Sequence, residues 1–242
     1  MEFEKLRAVV IDLETTGLNK KTDRIIEIGA IRIREGKIAE EYSQLVNPRI
    51  PLSKETTDIT GIDDEMLKDA PAFSLIADKA EAFLGDDILI GHSITGDFAF
   101  LKKAFVDLKP KGYSFEKKGI DTLKLARRFL PADEKKTLTG ACGHFGISFN
   151  AHRALDDARA TFMLLEKLYE QFGDKDPEAF EPFDLHFAVK RDTPVMKKQL
   201  QQLERLLQEK DITVNMDLSA LTKSQASRMI DRIRAGERER LL

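Results

Sequence analysis

The 242-residue sequence holds one cysteine, Cys142, and no tryptophan. A lone thiol forms no internal disulfide, so a packed core has to hold the chain together. No apolar run reaches the roughly 20 residues that span a bilayer. The first residues, MEFEKLRAVVIDLE, have neither the apolar centre nor the cleavage site of a secretory signal. These absences lead to the expectation of a soluble cytoplasmic protein with no membrane partner. Charge of one sign is also scarce: 39 Lys and Arg against 42 Asp and Glu give −3. That argues against coating nucleic acid through bulk positive charge, so a phosphate-rich ligand has to be met locally. What is present is 42% hydrophobic and 33% charged residues, which excludes a disordered chain, a collagen-like repeat and a coiled-coil rod. The length suits one full α/β domain with a small appendage.

The charge divides unevenly. Residues 1–172 carry 26 basic and 29 acidic side chains, residues 173–189 carry 1 and 5, and residues 190–242 carry 12 and 8. The middle stretch is acidic, holds Pro177 and Pro182 and shows no sustained period, so 173–192 reads as a linker between a domain at 1–172 and a module at 193–242. Within the first unit, Ala8 to Ile11 is an apolar run of the kind that forms a strand buried on both faces. Further strands are expected at Ile25 to Ile33, Lys37 to Val46, Ile88 to Ile90 and Gly119-Ile120. Helices are expected at about 72–84, 97–106, 122–129, 137–145 and 153–171. The five strands predict a mixed sheet flanked by helices. In the module, Thr193-Pro194 reads as a helix start running to about Lys210, and Thr222 to Gln225 as a capping box opening a helix through Arg234.

Asp12 and Glu14 are the most informative residues. Two positions apart on a strand, their carboxylates leave the same face, beside a Thr-Thr-Gly turn. Like charges so placed repel unless a cation sits between them, and oxygen-only sites suit Mg²⁺ or Mn²⁺. Taken alone, the pair fits an ordinary solvated strand end equally well. Two further elements favour a site. Asp97 stands near a helix start just after a short strand. His152 precedes Asp157 by five residues, which lets a helix supply a ligand while a loop holds a base beside it.

With those residues in order, the chain resembles the DnaQ-like 3′→5′ exonucleases of the subgroup defined by four acids and a histidine. The first motif stands as Asp12-Leu-Glu14-Thr-Thr-Gly17, the second as His92-Ser93 through Asp97 to Leu101, and the third as His152 to Asp157. The likeness covers about residues 7–171. Ser93 replaces the family's usual Asn, and Gly96 replaces the Phe that precedes the aspartate.

The resemblance implies an RNase H-like fold and two-metal hydrolysis of a terminal phosphodiester, with Mg²⁺ or Mn²⁺ as cofactors. Asp12 would bridge both ions, Glu14 and Asp157 would complete one site, and Asp97 would hold the second. His152 would take the proton from the attacking water, imidazole being the side chain that changes charge near working pH. Thr15 and Thr16 would contact the terminal 3′-hydroxyl, and Leu18 would wedge against the last base. The expected substrate is a single-stranded nucleic acid 3′ end, DNA ahead of RNA, with nucleoside 5′-monophosphates as products. A proofreading or repair setting implies a DNA polymerase or repair protein as partner. The helical module, with its excess of basic residues, is expected to bind nucleic acid or protein. The alternatives are an exoribonuclease and a non-catalytic scaffold; the scaffold is disfavoured because all four acids and the histidine are present.

Other candidates have plainer readings. Asp156 lies about 100° around the helix from Asp157 and reads as a solvated acid. His92 is expected to brace a loop, His144 to pack near Phe145, and Phe98, Leu101 and Phe105 to be core. The pairs Lys102-Lys103, Arg127-Arg128 and Lys135-Lys136 read mainly as solvated faces.

Overall fold

The structure, a computed structural model, describes residues 2–214 and 216–236. Six strands form one mixed sheet: β1 (Ala8–Thr15), β2 (Ile25–Arg34), β3 (Lys37–Leu45), β4 (Ile88–Gly91), β5 (Lys117–Asp121) and β6 (Phe183–Leu185), in the spatial order β3-β2-β1-β4-β5-β6. β1 pairs antiparallel with β2 and parallel with β4. It is therefore central, and Val9, Val10 and Ile11 are fully buried on its two faces.

The helices are α1 (Lys54–Thr60), α2 (Asp64–Leu67), α3 (Phe73–Leu84), α4 (Ile94–Leu108), α5 (Thr122–Phe129), α6 (Leu138–His144), α7 (Ala154–Phe172), α8 (Lys197–Glu209) and α9 (Lys223–Arg234). One sheet face, with Val9 and Ile11, packs on Ile76 of α3 and on Phe98, Leu101 and Phe105 of α4. The other, with Ala8 and Val10, packs on Leu125 of α5, Cys142 of α6 and Leu164 and Leu168 of α7. The result is a three-layer α/β/α domain. No helix among the described residues is long and apolar enough to cross a membrane.

The structure departs from the sequence expectations in three places. The stretch read as a linker packs onto the domain and supplies a sixth strand where five were expected. β6 pairs with β5, and Phe180 is fully buried, with its ring 5.7 Å from that of Phe129 and 5.3 Å from that of Tyr169. Three strand residues are too few to show a period among flanking acids and prolines. The first module helix starts at Lys197, not beside Pro194. Residues 193–195 run extended against the start of α9, with the Val195 amide donating to Leu221 O at 2.9 Å and the Lys223 amide to Thr193 O at 2.8 Å. α1 and α2 were not anticipated. Both are short and owe their starts to local caps, Ser53 Oγ on the Thr56 amide (3.1 Å) and Asp63 Oδ1 on the Met66 amide (2.8 Å). In the module the Thr222 capping box opens α9 as expected, and Leu203, Leu207, Met229, Ile230 and Ile233 make a small core of their own.

Candidate active site

The site lies at the carboxyl end of β1, where its neighbours switch from antiparallel β2 to parallel β4. Such a switch point opens a crevice beyond the strand ends. Asp12 and Glu14 project toward the α7 face, opposite Gly29 and Glu27 of β2 in register. Gly29 is what brings α7 close. A Cβ at this position would lie 2.0 Å from the carbonyl carbon of Ala154, so only glycine lets the first residues of α7 rest on the strand beside Asp12.

Glu27 fastens that contact. Its side chain is 1% exposed, and it accepts from the Ala154 amide at 3.1 Å and from Arg153 Nη2 at 2.9 Å. A carboxylate on the first-turn amides of a helix satisfies donors that would otherwise be orphaned. His152, immediately before, holds a left-handed backbone (φ 67°) that side-chain-bearing residues rarely adopt. Its amide donates to Asp157 Oδ2 at 3.0 Å, which ties the histidine loop to the acid one turn into α7. Asp156 faces away and pairs with Arg159 at 2.9 Å.

Asp97 arrives from the other helical layer, in the first turn of α4. That turn is set by Ser93, whose backbone is also left-handed (φ 75°) and whose amide donates to Asp121 Oδ1 at 3.0 Å. Asn tolerates this conformation better than Ser, so the family's usual residue suits the geometry and Ser93 holds it with help from Asp121. His92 braces the turn as expected, Nδ1 lying 2.9 Å from Thr122 Oγ1 and Nε2 2.8 Å from Lys136 O. Gly96 has nothing within 4 Å of where a Cβ would stand, so the absent Phe leaves an open surface beside Asp97 and no void in the core.

Oxygens of Asp12, Glu14 and Asp157 lie within 4.8 Å of one another. Asp97 falls outside that tight group, but its charge reaches Asp12. Burial pushes the Asp12 carboxyl well above the usual range, and Asp97, Asp157 and Glu14 push it further. Glu14 is raised to about 7 by burial and then by Asp157 and Glu27, with Arg153 opposing. Asp97 is raised to about 8, again chiefly by burial, although the backbone amides of Asp97 and Leu13 pull it down. Asp157 is raised to about 6 by burial, against the His152 amide. Four acids crowded into a poorly solvated crevice repel one another unless positive charge enters. An all-oxygen donor set of this spacing fits a hard divalent cation.

Beside the acids, Thr15 Oγ1 donates to Gly17 O at 2.8 Å, and Thr16 Oγ1 accepts from the Arg24 amide at 3.0 Å. Leu18 stands 85% exposed on the loop that follows. The supporting residues Glu27, Gly29, Arg153 and Thr56, whose hydroxyl donates to Thr16 O at 3.0 Å, received no role from the sequence. Their partners lie 40 to 127 positions away. Only the strand expected at Ile25 to Ile33 touched two of them, Glu27 and Gly29, and gave them no role beyond that strand.

A central strand with two acids, joined by a third from one helical layer and a fourth from the other, forms a carboxylate site that can hold divalent cations for phosphodiester hydrolysis. The RNase_T exonuclease family model matches residues 9–165, and the chain belongs to this family. The sequence is 34% identical over 168 residues to a DNA polymerase III PolC-type of Clostridium perfringens, covering 69% of this chain and 11% of that protein. It is 38% identical over 172 residues to the Oceanobacillus iheyensis counterpart, covering 69% and 12%. The chain thus matches a small part of those polymerases. Among solved structures, exonuclease X in complex with 5′ overhanging duplex DNA aligns with a TM-score of 0.56 and 27% identity, over 69% of this chain and 93% of that one. E. coli exonuclease I in complex with a dT13 oligonucleotide shares the fold at a TM-score of 0.63 and 17% identity, over 72% and 43%.

Proposed function

We propose that this nuclease is a 3′→5′ exonuclease that removes nucleoside 5′-monophosphates from single-stranded DNA with two divalent cations, Mg²⁺ or Mn²⁺. The observation that carries the reading is the convergence of Asp12, Glu14 and Asp157 within 4.8 Å, with Asp97 near enough to act on Asp12. Asp12 would contribute to both cation sites, Glu14 and Asp157 would complete the first, and Asp97 would serve the second. Held by these acids, the cations would supply charge to stabilise the attacking and leaving oxygens and a bound water of lowered pKa. His152, held beside Asp157 by its own amide, takes the proton of the attacking water on its imidazole. Thr15 and Thr16 hold the terminal sugar, and Leu18 abuts the last base. DNA is favoured over RNA because the named relatives are DNA polymerases and the aligned exonucleases carry DNA. The same relatives support a proofreading or repair role beside a polymerase. We take 1–172, together with the stretch through β6 that packs on it, as the nuclease domain and 193–242 as its helical module, of which 215 and 237–242 lie outside the described residues.

The test compares 5′-labelled single-stranded DNA, duplex DNA and RNA of one sequence with Mg²⁺, Mn²⁺ or EDTA. Stepwise shortening of the DNA from its 3′ end, abolished by EDTA, is expected. Release of the 5′ label in the first turnover, or equal rates in EDTA, would overturn the reading, and faster loss of RNA would make the protein an exoribonuclease. In the same assay His152→Ala is expected to lower kcat by about 10² at neutral pH. An unchanged kcat would assign the proton to another group.

A further inference from the structure

The loop from Gly17 to Arg24 begins beside the acids and is folded around one buried carboxylate. Asp23, with its side chain 4% exposed, accepts the Asn19 amide on Oδ2 at 2.7 Å. The loop closes on itself through the Asp23 amide to Asn19 O (2.8 Å) and the Thr16 amide to Arg24 O (2.9 Å). Gly17 passes so close that a Cβ there would meet Asp23 Oδ2 at 2.5 Å. Leu18 rides on this loop.

The positive charge that answers Asp23 comes from the far end of the chain. Arg228 of α9 places Nη1 2.6 Å from Asp23 Oδ1 and also bonds the Thr22 hydroxyl. A second tie fixes the start of the module. Asp192 lies 3.1 Å from Lys103 Nζ of α4, the helix that carries Asp97, and its amide donates to Asp107 Oδ1 at 2.8 Å. Arg191 bonds the carbonyls of Lys109 and Pro110 at 2.5 and 3.0 Å. The module is thus docked on both elements that flank the acids. A buried carboxylate stripped of this guanidinium partner would draw in water and loosen whatever it organises.

We propose that Arg228 is a positioning residue for substrate, and that the helical module acts on the reaction by setting the loop that receives the 3′-terminal nucleotide. Arg228 touches no reacting atom; it neutralises Asp23, which in turn fixes Gly17 to Arg24 and the direction of Leu18. The proposal rests on the exonuclease reading above for its substrate, but the state of the loop can be read without any reaction.

The test uses the full chain as Arg228→Gln, Arg228→Lys and the double variant Asp23→Asn/Arg228→Gln. Amide hydrogen exchange is followed without substrate, and steady-state hydrolysis of 5′-labelled single-stranded DNA with Mg²⁺ is followed alongside. In Arg228→Gln, exchange at the Asn19 and Asp23 amides is expected to quicken about tenfold while β1 and β2 keep their protection. KM should rise about tenfold with kcat within about threefold, the signature of lost binding with intact chemistry. Arg228→Lys should recover part of both effects. The double variant should lose no more than Arg228→Gln, because the two residues act as one unit. Unchanged loop exchange in Arg228→Gln, loosening of β1 as large as that of the loop, or a fall in kcat at constant KM would each overturn the proposal. If wild-type chain leaves DNA uncut, the exonuclease reading fails, and the exchange result still decides whether Arg228 holds the loop.

Discussion

Asp12→Asn is expected to cut cation-dependent hydrolysis by about 10³-fold, the scale set by removing one strong electrostatic stabiliser from an active site. The same change should make the cation-free protein harder to unfold at pH 8. The two outcomes have one cause. Asp12 stands where burial and the charges of Asp97, Asp157 and Glu14 all oppose its ionisation, so the arrangement that attracts cations is strained without them. The pH dependence follows. Asp157, Glu14 and Asp97 have pKa values raised to about 6, 7 and 8, so between the ordinary carboxylate range near 4 and about pH 8 the folded state holds more protons than the unfolded chain. Stability contributed by these protons is complete below about pH 4 and is lost as pH climbs through 6 to 8. Tm of the cation-free wild type should therefore fall across that window. Mn²⁺ or Mg²⁺ at a hundred times its Kd should return about 2.7 kcal/mol per independent site. In Asp12→Asn the decline with pH should be shallower, Tm at pH 8 should rise by roughly the 2–4 °C that 1 kcal/mol gives a chain of this size, and most of the cation-induced gain should vanish. Calorimetry at several pH values with and without cation measures all of this. A wild-type Tm that climbs from pH 5 to 8, or an equal cation shift in Asp12→Asn, would remove the four acids from the role assigned to them.

The parts of this molecule that were legible in the sequence are those whose signals are local. Val9 to Ile11 announce a central strand by composition, the period of two puts Asp12 and Glu14 on one face, and Thr222 with Gln225 writes out a capping box. The site acids could be named together only because three ordered motifs resemble a family, since spacing alone left Asp12 and Glu14 indistinguishable from a solvated strand end. What stayed hidden depends on partners distant in sequence. Glu27 looks like any strand glutamate until Ala154 and Arg153 close over it. In sequence Lys103 reads as half of a solvated pair with Lys102, yet it is buried against Asp107 and Asp192. The acidic stretch after Gly173 looked like a linker because its few apolar residues, Phe180, Phe183 and Leu185, are too sparse to show a period, although Phe180 and Leu185 are buried. Arg228 gave no signal at all, because its meaning comes from Asp23, 205 positions earlier.

Gly29→Ala should be the most damaging of the Gly→Ala changes in this chain, because a Cβ there meets closer backbone atoms than at any other glycine. Its partner in register across the sheet is Asp12, and the added carbon would lie 2.0 Å from Ala154 C and 2.1 Å from Leu155 N. Those are backbone atoms, so no rotamer change relieves the overlap; either β2 must sink into the sheet or α7 must lift. The sheet is held by pairing of β2 with both β1 and β3 along most of its length, whereas the first turn of α7 is held to it by Glu27, so the helix start is the part that yields. Lifting it pulls the Ala154 amide off Glu27, leaves that carboxylate buried without its donors, and carries Asp157 and the His152 loop away from Asp12 and Glu14. Overpacking of this kind costs about 3 kcal/mol, roughly 6–12 °C in Tm for a chain of this length. The catalytic loss should exceed what the stability loss explains: at a temperature where the variant remains folded, kcat should still be down by about 10² and the cation-induced rise in Tm should be reduced. Gly29→Ala protein with wild-type kcat and an undiminished cation shift would mean that the close contact between β2 and α7 does not position Asp157.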